Sequence, residues 1–435
     1  FVLYLVSGKT NMIENRKLEP VGTRVSKASY INTFGAITGS FLTGFVLIPL
    51  FSKFGSGTYG CLITLICIAF ALALFTNLYD SKFNPLAIAT IIACLLSINF
   101  LPKLDANEIS SGIAVYKGMK YKSITKKDYK RAISEQILMH EEGINSIVTV
   151  VENKAANAIF LKTNGKIEAG MPINPEDPSK ADMTTQVLLG QLPIFVKPNI
   201  EKALLIGMGS GISHKSLLKI GAKAQLKQVE VCEIEELVYK AAGKYFNAVM
   251  TKDYGPIKLN HHMADARNFL IANKTKQGAG TLYDLIISQP SDPWISANLF
   301  TEEFWQLASS NLNEDGIFEQ WIQLYSIDPK HLEIALRTFS QVFPNSMAFK
   351  PGDAAELLLI GSKQELELDS KKINELMKYK EVKQELSYIG INDDADLLSN
   401  LVLSPAAINK LLNRKAGNQA HHNIKILKYI TKIDA

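Results

Sequence analysis

Residues 201–236 read EKALLIGMGSGISHKSLLKIGAKAQLKQVEVCEIEE. The apolar run Ala203–Ile206 stops at Gly207-Met208-Gly209-Ser210-Gly211, and a helical stretch, Ile212–Ile220, follows at once. Gln228–Glu233 then reads as a second strand. Strand, glycine turn, helix and strand in that order make a parallel-sheet unit, and ligands bind such sheets beyond the carboxyl ends of the strands. Gly207, Gly209 and Gly211 allow a tight turn, let a ligand come close and aim backbone N–H groups at it. Glu233 ends the second strand, where a carboxylate can accept both hydroxyls of a ribose. The spacing is G-x-G-x-G, whereas pyrophosphate binding expects G-x-G-x-x-G. Adenosine joined to a sulfonium tail therefore fits the turn better than a dinucleotide does.

The alternation continues downstream. Helix Glu236–Phe246 leads to strand Ile257–His262, with Asp265 just beyond it and placed to accept from an adenine amino group. Strand Tyr283–Ser288 ends in Gln289-Pro290-Ser291-Asp292-Pro293-Trp294. Helix Thr301–Asn311, strand Ile317–Leu324, helix Pro329–Phe343 and a hairpin pair, Ser346–Phe349 and Glu356–Ile360, complete the series. Such a chain builds a parallel sheet covered on both faces, with one strand of the closing pair antiparallel. Upstream, Ile144–Glu152, Ala158–Thr163 and Gly165–Gly170 are short strands around the hairpin turn Asn164-Gly165. The charged stretch Asp105–Gly143 reads as a juxtamembrane connector with a helix near Lys127–His140. Plainer readings stay open: Asp265 as the N-cap of the helix that follows, Glu233 as a neighbour of a helix cap, and Asp292 as a turn-starting Asp-Pro.

The N-terminal part differs in kind. Between Ser29 and Pro102 the only charges are Lys53, Asp80 and Lys82, although 20% of the 435 residues are charged. Tyr30–Phe51, Tyr59–Tyr79 and Pro85–Leu101 are three uncharged runs, each near the length that crosses about 30 Å of hydrocarbon. The fold class is therefore α/β: a methyltransferase-like doubly wound sheet preceded by a small antiparallel β-domain and N-terminal transmembrane helices. The segments are 1–104 (about three spans), 105–143 (connector), 144–199 (β-domain), 200–362 (methyltransferase-like domain) and 363–435 (C-terminal helical extension). Basic residues flank the membrane region on both sides, from Lys9 to Lys27 and from Lys117 to Arg131. An odd number of spans cannot put both inside, and the second flank places the C-terminal domain in the cytoplasm. The chain begins at Phe1 rather than Met, as a fragment or processed form would.

Composition excludes other classes. A net charge of +5 is mild for this length and argues against nucleic acid as a partner. Cys61, Cys67, Cys94 and Cys232 include no C-x-x-C pair, so neither a disulfide framework nor a zinc site is expected. His214, His261 and His262 read as surface or helix-start residues rather than ligands.

Taken together, Gln186–Asn199 (QVLLGQLPIFVKPN), Ala203–Ile212, Val231–Glu235 (VCEIE), Ala264-Asp265-Ala266, Tyr283–Trp294 and Leu299–Phe304 resemble the spermidine synthases. The resemblance is to the membrane-fused form, and it covers about Tyr30 to Ser362. It implies transfer of an aminopropyl group from decarboxylated S-adenosylmethionine to putrescine, releasing methylthioadenosine. It implies that Glu233 holds the ribose and Asp265 the adenine. The cofactor set is then Gly207, Gly209, Ser210, Gly211, Glu233, Ile234, Asp265 and Ala266, and the substrate set Gln186, Trp294 and Tyr325, with no metal. Expected partners are a small polyamine, membrane lipid and, as an open option, a second copy of the chain.

Two departures touch the chemistry. Ser210 stands where the family's glycine loop carries an Asp, and Gln289 stands at the first Asp of the D-x-x-D-P pattern. Asp292 keeps the second position. The chain end, His421-His422-Asn423-Ile424-Lys425-Ile426, lacks the acids of the relatives. The catalytic pair is thus Asp292 and Gln289, with altered or weakened activity. The alternatives are a methyltransferase using ordinary S-adenosylmethionine, since its tail carboxylate suits Ser210, and a non-catalytic nucleoside-binding membrane protein.

Overall fold

The computed structural model of the chain describes residues 21–48, 66, 105–113, 125, 129–130, 134–174, 182–250, 253–275, 282–291, 295–325 and 327–412. Two compact units are present, one of Phe1–Asp105 with Glu141–Ile147, the other of Ala106–His140 with Val148–Ala435.

In the first unit, α1 (Val21–Leu42) runs on into a π-helical turn, Thr43–Leu47. Val25–Leu47 is long and apolar enough to cross a membrane, by length and composition. Tyr30, Phe34, Ile37 and Phe41 are exposed along it. The expected spans Tyr59–Tyr79 and Pro85–Leu101 lie outside the described residues, Ile66 apart.

Two sheets follow in the chain. The small one has the order β1 (Gln136–Glu142), β2 (Ile147–Asn153), β3 (Ala158–Thr163) and β4 (Lys166–Pro172). Asn164 and Gly165 both take positive φ between β3 and β4, as their pairing in a two-residue hairpin requires. The helix expected near Lys127–His140 is corrected: Gln136–Glu142 is a strand. Leu138 and Met139 pack on the core of this sheet, so the edge of β2 captures a segment whose local preference alone is ambiguous.

The large sheet begins after α2 (Met183–Val196) and alternates β5 (Lys202–Ile206), α3 (Ile212–Gly221), β6 (Gln228–Glu233), α4 (Glu236–Tyr245), β7 (Asp253–Tyr254) and β8 (Ile257–Met263). It continues with α5 (Ala266–Thr275), β9 (Tyr283–Ser288), α6 (Glu302–Ser309), β10 (Leu312–Gln323), α7 (Pro329–Val342), β11 (Asn345–Phe349) and β12 (Glu356–Ser362). Helices α8 (Ser370–Met377), α9 (Lys380–Tyr388) and α10 (Asp394–Leu398) precede a short strand, β13 (Leu401–Leu403), and α11 (Pro405–Leu412). The strand order is β13-β11-β12-β10-β9-β5-β6-β8-β7. Pairs among β8, β6, β5, β9 and β10 are parallel, and β12 lies antiparallel between β10 and β11. This is the doubly wound arrangement with an antiparallel insertion that the sequence alternation implies.

The central strands are apolar on both sides because both are covered. Leu205, Val231, Leu285 and Ile287 face α2, α3 and the C-terminal helices α8 and α9. Leu204, Ile206, Ile286 and Phe318 face α5, α6 and α7, where Trp305, Phe318, Phe339 and Phe343 interlock. The C-terminal segment is thus part of the same core, and it is not wholly helical, since β13 pairs with β11. At the crossing of α2 and α3 stands Gly190, where a Cβ would lie 2.2 Å from the Ser213 carbonyl oxygen and 2.7 Å from the Leu217 nitrogen.

Glu319 breaks the apolar pattern of β10. It is wholly buried between Ile287 of β9 and Ile360 of β12, and neither carboxylate oxygen has a hydrogen-bond partner. Burial raises its carboxyl well above the usual carboxylate range. In the unfolded chain the group ionises near pH 4.3, so its contribution to stability is full below that pH and is lost as pH rises toward the folded-state value. Glu319→Ile is therefore expected to raise stability by about 2 kcal/mol more at pH 8 than at pH 4. Urea unfolding at the two pH values checks this, and an equal effect at both would refute the assignment.

Candidate active site

The glycine turn forms at the carboxyl end of β5. Gly207, Gly209 and Gly211 adopt φ of 84°, 54° and 77°, the left-handed region that a side chain resists. Space also demands glycine at Gly207, since a Cβ there would meet the Gln289 carbonyl oxygen at 2.6 Å. Gly209 differs, with open space where its Cβ would be. Backbone bonds tie the turn to both neighbouring strands: Gly207 N–H donates to Cys232 O at 2.9 Å, and Gln289 N–H to Ile206 O at 2.9 Å.

Glu233, at the end of β6, is aimed at this turn. Its Oε2 accepts from the Met208 N–H at 2.8 Å and its Oε1 from the Glu235 N–H at 2.9 Å. Burial raises its carboxyl above the usual range, and backbone N–H groups of Glu235, Met208 and Ile234 pull the other way. Three backbone N–H groups thus converge on a carboxylate whose two oxygens offer about four acceptor positions. Ile234 stands half exposed beside it. Asp265 follows β8, and its Oδ1 accepts from the Asn268 N–H at 2.8 Å, so it caps α5. The cap takes one oxygen of two, so capping and ligand contact are compatible. Ala266 is buried at the start of that helix.

Ser210 is buried, and its hydroxyl donates to Gln186 Oε1 through a very short contact. Gln186 Nε2 donates to Gly170 O and to Asp182 Oδ2, both at 3.2 Å. Gln186 therefore links α2, β4 and the glycine turn. Gln289 Nε2 donates to Gly207 O at 2.9 Å and lies 2.7 Å from Ser213 Oγ, whose hydroxyl donates to Gln289 Oε1 at 2.8 Å. An Asp at 289 has no N–H to offer the Gly207 carbonyl. The amide thus pins the turn. Asp292 and Trp294 lie outside the described residues.

Tyr325 borders a charged group that sequence reasoning missed. Lys166 and Glu168 share one face of β4, with Nζ 3.0 Å from Glu168 Oε2. The Trp321 and Tyr325 ring centroids lie 6.0 Å and 5.9 Å from that Nζ. Glu168 Oε1 accepts from Ser291 Oγ at 2.6 Å, two residues past Gln289. The carboxyl of Asp182 is raised well above its usual range by burial and by Glu356, and Lys166 opposes the shift. The signal was present as two charges at period two in the otherwise apolar KIEAGM, beside a hairpin turn.

His214 lies in the first turn of α3, one of the two expected settings, but it is fully buried rather than at the surface; its Nε2 lies 3.2 Å from Val249 O, and burial lowers its pKa to about 4. It packs edge-on to His261, 5.8 Å between ring centroids. Among the described residues no group of three or more His, Cys, Asp or Glu is placed to hold a metal.

Residues 183–350 match the family described as the spermine/spermidine synthase domain. The matched stretch spans the glycine turn, Glu233, Asp265 and the β9 end together. The chain is 30% identical over 159 residues to a polyamine aminopropyltransferase of Thermotoga maritima, covering 36% of this chain and 50% of that protein. It is 27% identical over 165 residues to a spermidine synthase of Solanum lycopersicum, covering 38% and 46%. The chain thus spans about half the length of the curated relatives it matches. Among solved structures, a spermidine synthase in complex with the transition-state analogue AdoDATO superposes with a TM-score of 0.51 at 21% identity, covering 64% of this chain and 88% of that one. At that identity the likeness establishes the fold.

Proposed function

We propose that this chain is a membrane-attached aminopropyltransferase that takes decarboxylated S-adenosylmethionine as donor and an amine of the polyamine class as acceptor, putrescine being the reference compound. The observation that carries the reading is the meeting of Glu233 with the Met208 N–H of the glycine turn, with Asp265 at the end of the next strand. In this reading Gly207, Gly209, Ser210 and Gly211 border the sulfonium end, Glu233 takes the ribose hydroxyls, Asp265 the adenine amino group, and Ile234 and Ala266 flank the base. Residues 200–362 carry the reaction, the N-terminal helices attach the chain to lipid, and the domain faces the cytoplasm.

The chemistry needs little from the protein. The amine lone pair forms a bond to the carbon next to sulfur, the C–S bond breaks, and its electrons neutralise the sulfonium to give methylthioadenosine. The new ammonium then gives up one proton. Holding the amine in line with the carbon supplies most of the acceleration. Asp292 is the proposed proton acceptor and cation anchor, because Gln289 cannot take a proton near neutral pH. Gln186 and Tyr325 line the acceptor side, and Trp294 is proposed to close it.

A second reading, methyl transfer from ordinary S-adenosylmethionine, is favoured by one observation: the turn carries the neutral, buried Ser210 and no acid. Calorimetry with decarboxylated and carboxylated S-adenosylmethionine separates the two. The decarboxylated compound is expected to bind at least about tenfold tighter, followed by transfer to putrescine in a turnover assay. Preference for the carboxylated form establishes methyl transfer, and binding without turnover establishes a nucleoside sensor.

A further inference from the structure

We infer that the ammonium of Lys166 occupies the seat where the second cationic group of a diamine acceptor would rest, so that the second amino group of a diamine adds nothing to its binding by this chain. This rests on the transferase reading above and narrows its acceptor.

A buried ammonium is unfavourable unless charges and dipoles replace its water. Lys166 is buried, and what surrounds it has the composition of an alkylammonium site. A carboxylate, Glu168, lies at 3.0 Å, and the rings of Trp321 and Tyr325 stand at about the outer limit of cation–π attraction. The carboxyl of Asp182 feels the same positive charge. Aromatic walls with a carboxylate are how proteins recognise ammonium ligands. Here the chain supplies the cation itself, from the strand that follows the Asn164-Gly165 hairpin.

The seat also adjoins the reaction edge. Glu168 holds Ser291, on the loop that follows β9. Asp182 holds Gln186, which holds Ser210 of the glycine turn. In this proposal a diamine that presents one nitrogen at this edge carries its other end along the Ser291–Glu168 contact, where Lys166 already places a like charge. Removing the Lys166 charge leaves Glu168 without its cation, and the emptied seat then favours a diamine.

Titration calorimetry of the full chain, saturated with methylthioadenosine at pH 8, compares butylamine with putrescine. In the wild type putrescine is expected to bind no tighter than butylamine. In Lys166→Met putrescine is expected to gain about tenfold or more while butylamine is unchanged. Wild-type preference for putrescine by tenfold, an unchanged ratio in Lys166→Met, or absence of amine binding in both proteins overturns the inference. If Lys166→Met does not fold, the wild-type ratio alone decides, because a filled seat forbids a diamine advantage. Failure of methylthioadenosine to bind refutes the transferase reading separately, and the two amines titrated alone still report on the seat.

Discussion

Glu233→Ala is expected to weaken methylthioadenosine binding by 10²- to 10³-fold. Two losses add. The carboxylate is the proposed acceptor for two ribose hydroxyls, and hydrogen bonds to a charged group contribute about 1.5–3 kcal/mol each. It also receives the Met208 N–H at 2.8 Å, so its removal strips the glycine turn of its support. A buried N–H left without a partner costs about 1–3 kcal/mol, and the turn can recover part of that only by moving away from its ligand-binding position. A net loss of about 3–4 kcal/mol is the quoted factor. Glu233→Gln keeps one carbonyl acceptor and is expected to lose roughly tenfold. Affinity within twofold of wild type in the alanine variant would remove the nucleoside assignment, whatever the melting temperature.

Gly190→Ala is expected to cost about 3 kcal/mol or more of stability, an effect of unusual size for one added methyl group. The new carbon would sit 2.2 Å from the Ser213 carbonyl oxygen, 2.7 Å from the Leu217 nitrogen and 2.8 Å from Ser216 Cβ. Two of these are backbone atoms of α3 and cannot rotate aside. Helix α3 must then retreat from α2, and α3 is the helix that begins directly after the glycine turn. The turn is also held from α2, through Gln186 and Ser210. Nucleoside binding is accordingly expected to fall together with the denaturant midpoint. Wild-type stability in Gly190→Ala would mean that the two helices do not meet at this point.

The elements legible in the sequence are those whose apolar pattern has a single solution. Gln228–Glu233 and Tyr283–Ser288 appear in the structure with the same bounds, because a short β-branched run between polar turns fits only a covered parallel strand. The positions of Glu233 and Asp265 follow from strand ends, which glycine and acid spacing mark well. Illegible parts depend on long-range company. Gln136–Glu142 becomes a strand only because β2 offers an edge, and Leu401–Leu403 only because β11 does. The cation seat escaped because its members are far apart in the chain: Lys166 and Glu168 come from the small sheet, Trp321 from β10 and Tyr325 from the turn just after it. Gln289 is visible as a departure from the family pattern, while its hold on Gly207 emerges only from the geometry.

Three residues, Leu401–Leu403, make β11 an inner strand of the large sheet. Without them the row of N–H and C=O groups along Asn345–Phe349 would form a bare rim, and such rims recruit strands from other molecules. The strand that replaces it at the border is too short to serve as a template. The chain beyond Ser362 therefore works as a guard against self-adhesion of the large sheet.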